Sequence, residues 1–66
     1  MTSLERRIEC TKASILMYTL RVHYNMSNAH FEDNIPEAKE SMRKAKVFVD
    51  LAEEATDDLK RMIHSI

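Results

Sequence analysis

Sixty-six residues hold one domain at most, and a chain of this length buries too little apolar surface to be comfortably stable alone. The composition is 44% hydrophobic and 32% charged, which argues against disorder, and the absence of glycine argues against tight β-hairpins and phosphate-cradling loops. A net charge of −1 excludes the electrostatic footprint of a general nucleic-acid binder, and Cys10, the single cysteine, excludes an internal disulfide.

The opening residues predict a helix from about residue 3 to residue 27. Thr2 or Ser3 can cap it, and Thr2 with Glu5 makes a capping box. Met1 to Glu9 mixes charges of both signs without an apolar core, so it does not read as a signal peptide. A lone thiol fits a reducing compartment, and a cytoplasmic location is expected. Leu4, Ile8, Thr11, Ile15, Tyr18 and Val22 alternate by four and three, the spacing of a helix packed along another helix. The least polar stretch, Ala13 to Met26, is shorter than the roughly 20 residues a membrane span needs. It is expected to be buried in protein.

A second stripe runs along the same helix. Cys10, Ala13, Met17, Leu20 and Tyr24 repeat the spacing on nearly the opposite side. A hairpin needs one apolar stripe per helix, so this one is surplus and marks an interface.

Ser27 to Asn34 is polar and rich in turn formers, which predicts a turn at about 28–34 with Asn28 as a left-handed C-cap. So short a connection makes the two helices antiparallel neighbours.

The second helix is predicted at about 35–64, about 45 Å long. Asn34 and Glu37 form its capping box, and Pro36 falls harmlessly in the first turn. Ile35, Ala38, Met42, Ala45, Val49, Ala52, Thr56, Leu59, Ile63 and Ile66 keep an unbroken 3-4 spacing and read as its core stripe. Phe48, Ala55 and Met62 flank that stripe, and Val47 and Leu51 widen it. Ala38, Ala45 and Ala52 recur at one position and allow a close approach of the helices. Antiparallel packing also sets Arg6, Arg7 and Lys12 beside Asp50, Glu53, Glu54, Asp57 and Asp58.

The fold class read from this is all-α: one coiled-coil-like hairpin domain, 1–66, completing a helical bundle by dimerisation or with a partner. Cys10, Ala13, Met17, Leu20, Tyr24, Val47, Phe48 and Leu51 are the expected partner-binding residues. Lys39, Arg43, Lys44 and Lys46 cluster on the second helix and could touch RNA phosphates. Pairs at i,i+4, Glu40–Lys44 and Lys46–Asp50, make a solvated face the favoured reading, because no aromatic interleaves the basic residues.

No catalytic, cofactor or metal site is read. His23, His30 and His64 form no i,i+4 pair, and Cys10 has no partner at metal-ligand spacing. The loop sequence His30-Phe31-Glu32-Asp33 reads as a solvated turn. Glu53–Asp57 and Glu54–Asp58 read as surface carboxylates, and a packed thiol is the stronger reading of Cys10.

Length, hairpin plan and the opening Met1-Thr2-x-Leu4-Glu5 with Ile8 resemble the small co-chaperones of type III secretion needle subunits. That resemblance implies a helical hairpin joining a larger repeat-type chaperone in the cytosol. The plan is also similar to plasmid copy-number regulators, hairpins that dimerise into four-helix bundles and bind RNA. A small phage or plasmid regulator of a host protein is a third possibility, tied to no family. The expected function is a non-enzymatic adaptor, co-chaperone or regulator with a protein partner or itself, and without a membrane span or nucleic acid. The alternative is a homodimeric RNA-binding bundle.

Overall fold

Two capping side chains set where the helices begin. The Thr2 hydroxyl accepts a hydrogen bond from the Glu5 N–H at 3.1 Å and starts α1, Ser3–Phe31. The Asn34 side chain accepts from the Glu37 N–H at 3.2 Å and starts α2, Ile35–His64, with Pro36 in its first turn. Each bond satisfies one of the N–H groups that a helix start leaves without a partner. The box at α2 closes differently from the expected one: the Asn34 N–H donates to Glu32 Oε1 at 2.9 Å, from the turn side. The structure, a computed structural model, describes residues 2–65. Ile66 of the expected core stripe, and Met1 of the opening motif, lie outside the described residues.

α1 runs four residues past its expected end. Asn28 is an exposed residue inside the helix, and among the described residues none adopts a positive φ. Ala29 continues the spacing from Val22 and Asn25 and is half-buried, so one more turn of helix has a surface to pack on. The connection is then only Glu32 to Asn34, and Glu32 and Asn34 are extended (φ −86°, ψ 122°; φ −82°, ψ 114°). Three extended residues reach about 10 Å, the spacing of two packed helices, so no left-handed residue is required. A chain without glycine can make this turn.

The helices lie against each other along a molecule 49 Å long and 11 Å thick. On α1 the seam is the expected stripe, Leu4, Ile8, Thr11, Ile15, Tyr18 and Val22, continued by Asn25 and Ala29. On α2 the seam is rotated from the expected one. Ala38, Ala45, Ala52 and Leu59 are in it as read, with Ala45 only 3% exposed. The other half is Phe48, Ala55 and Met62, residues assigned to a flank, with Ser41, which no stripe had included. Ile35, Met42, Val49 and Ile63, assigned to the core, are exposed.

The reason lies in how alanines pack. A row of Ala38, Ala45 and Ala52 brings the backbones close, and the space on one side of it is then filled by Phe48 against Tyr18. This aromatic pair lies on the inward side of α2 as the helix is rotated.

Polar residues on the seam are held by their own helix. Thr11 donates to the Arg7 carbonyl and Asn25 Nδ2 to Arg21, both at 2.9 Å, and Thr56, half-buried in the groove beside the seam, donates to Ala52 at 2.8 Å. Ion pairs are also local: Lys12–Glu9, Arg43–Glu40 and Arg61–Asp58, all at i,i+3. Among the described residues none of Arg6, Arg7 and Lys12 pairs with an acid of α2, contrary to expectation. These are exposed side chains, for which a cross-helix pair gains little over solvation.

Candidate interaction surfaces

A two-helix layer has two broad sides and two outer edges, and the apolar residues are distributed unevenly among them. On one broad side, Ile15, Thr19 and Val22 of α1 with Val49, Ala52 and Thr56 of α2 line a shallow groove of about 440 Å³. Towards the turn, Met26 and Ala29 with Ile35, Ala38 and Met42 line a second one of about 600 Å³. Both grooves lie on the same side of the seam, and Ile35, Met42 and Val49 run through them as one stripe. At the termini end of this side stand Glu53, Asp57 and Lys60, and at the turn end His30 and Lys39.

The opposite broad side is polar. Leu4, Arg7, Cys10 and Thr11 face Asp58, Arg61 and Met62 across one groove, and Ser14 and Tyr18 face Leu51, Glu54 and Ala55 across another.

The expected partner-binding residues divide among these surfaces. Ala13, Met17, Leu20 and Tyr24 lie exposed on the outer back of α1, together with Leu16, which the sequence reading left out. Leu20 and Tyr24 are 59% and 62% exposed and Leu16 62%, a run of large apolar side chains in water. Cys10 is an exposed free thiol at the polar groove rather than a packed one. Val47 is exposed, whereas Leu51 is half-buried. Phe48 is half-buried: its ring lies 6.3 Å from that of Tyr18 in the seam, so it is shared with the contact between the two helices.

The residues that sequence reasoning missed are Ile35, Met42 and Val49 as surface. The signal was present, because α2 carries apolar or small residues at three adjacent heptad positions. One neighbouring helix covers only two.

The basic cluster is divided: Lys39, Arg43 and Lys46 lie within about 60° of one another around α2, and Lys44 stands apart. Arg43 is tied to Glu40 by two hydrogen bonds, at 3.0 and 2.5 Å. Those bonds hold the Glu40 carboxyl below the ordinary glutamate value and raise Arg43. At about 100° per residue, Lys44 points well away from Lys39 and Lys46 around the helix. The Glu40–Lys44 pair is replaced by Glu40–Arg43.

Among the described residues no three His, Cys, Asp or Glu side chains gather in a metal-holding group. His30 instead sets its ring edge-on to Phe31 at 4.9 Å. No helix among the described residues is long and apolar enough to cross a membrane. Comparison with protein-family models, curated proteins and solved structures gives no match, so a functional reading rests on these surfaces.

Proposed function

We propose that the chain is a non-enzymatic protein–protein interaction module, an adaptor, co-chaperone or small regulator working in the cytosol. Its outer α1 stripe of Ala13, Leu16, Met17, Leu20 and Tyr24 docks on helices of a partner protein. The observation that carries this reading is the exposure of four large apolar side chains within nine residues of one helix edge, away from the seam. Water around such a row is released on docking, at roughly 25 cal/mol per Å² of apolar surface covered. Leu and Tyr anchors of this kind enter a groove on a partner helix pair, and the surrounding charges, Arg21 among them, set register and partner choice.

The test is capture from the native host with the wild-type chain and with Met17→Asp/Leu20→Asp. The double variant is expected to keep α1 helical by circular dichroism, since neither position lies in the seam. The module reading expects a defined protein held by wild type and lost from the double variant. Equal capture by both, or none by either, overturns the docking role of this stripe.

A further inference from the structure

We infer that the apolar broad side closes on a second copy of this chain, in an antiparallel two-fold dimer that places the two turns at opposite ends. The inference rests on the interaction-module reading, and it names the occupant of the surface that the outer stripe leaves over. The area asks for such a cover. The chain of 7.7 kDa exposes 5288 Å². A folded monomer of that mass exposes about 4,300 Å², so about 1,000 Å² is in excess, close to the ~800 Å² that each partner buries in a stable interface.

The stripe and its charges are self-complementary. Val49 is the midpoint of Ile35, Met42, Val49, Thr56 and Ile63, which recur every seven residues. A two-fold axis at Val49 sets Val49 on its own copy, Met42 on Thr56 and Ile35 on Ile63. Thr19 of α1 lies at the same level, in the groove it shares with Val49, so one axis serves both helices. Lys39 and Lys46 occupy the turn half of this side, and Glu53 and Asp57 the termini half. The axis brings Lys46 opposite Glu53 of the second copy. Lys39 falls opposite Leu59, between Asp57 and the like charge of Lys60, so the charge complementarity rests on Lys46 and Glu53. Within one copy none of Lys39, Lys46, Glu53 and Asp57 forms an ion pair among the described residues. Stacking with both turns at one end would instead gather Lys39 and Lys46 of both copies at that end, and crowding of like charges disfavours that arrangement.

Mass in solution by light scattering, read over a dilution series of the whole chain, tests this. Wild type is expected at twice 7.7 kDa, and Val49→Asp at the monomer mass. Lys46→Glu and Glu53→Lys, each on the exposed surface, are expected to raise the dissociation constant about tenfold. The double swap Lys46→Glu/Glu53→Lys is expected to bring it back, because the pair reforms with reversed sign. Met17→Asp/Leu20→Asp is expected to stay dimeric. A wild-type monomer at every concentration overturns the dimer. So does a dimer that survives Val49→Asp, dissociates only in Met17→Asp/Leu20→Asp, or gains nothing from the double swap over the single changes. In those cases partner capture by the outer stripe still stands or falls by its own test.

Discussion

The rings of Tyr18 and Phe48 meet across the seam with centroids 6.3 Å apart and planes inclined by 30°. This contact joins the middle of α1 to the middle of α2 and sets which residues of α2 face inward. Offset aromatic pairs contribute about 0.5–1.5 kcal/mol beyond their buried area. A double-mutant cycle with Tyr18→Ala and Phe48→Ala, followed by denaturant unfolding, is expected to return a coupling in that range. Phe48→Ala alone should cost more, about 2–3 kcal/mol, since it also removes packing on the alanine row. A coupling near zero would mean that the pair does not hold the rotation of α2.

Asn25 is the buried polar residue of the α1 seam among the described residues, 7% exposed, and its side chain donates to the Arg21 carbonyl of its own helix. A buried amide that makes no bond across the seam weakens packing and contributes little to cohesion there. Asn25→Leu is expected to stabilise the hairpin by about 1 kcal/mol, a rise in Tm of roughly 4–8 °C for a domain of this size. Thermal unfolding followed by circular dichroism reads the shift. A fall in Tm would mean that the amide has a role in the seam beyond its own helix.

Glu40 offers a pH dependence with a defined sign. Hydrogen bonds from Arg43, with its charge and that of Lys44, hold the carboxyl below its ordinary value against a smaller opposing effect of burial. A depressed carboxyl contributes stability above its unfolded value and loses it as pH falls through the folded one. Helicity of the first half of α2 should therefore weaken only in the acid range, below about pH 4. Carboxyl carbon chemical shifts in an NMR titration should place Glu40 below the ordinary glutamate value. In Arg43→Gln that difference should vanish.

Much of this protein follows from the sequence alone. Both helices, both N-caps at Thr2 and Asn34, and the α1 seam from Leu4 to Val22 are written in spacing and capping chemistry, which are local. The α1 outer stripe was legible for the same reason: its residues share one helix face whatever the fold does elsewhere. The end of α1 and the inward face of α2 belong to the tertiary structure. Asn28 is as good a cap as sequence offers, yet the helix passes it because Ala29 finds a surface on α2. Ile35, Met42 and Val49 are as apolar as Phe48 and Met62, and spacing cannot choose between two adjacent stripes on one helix. The choice is made when the alanine row lets the backbones approach and the ring of Phe48 meets that of Tyr18. That packing decision leaves the aliphatic stripe outside, and with it the surface on which a second chain can close.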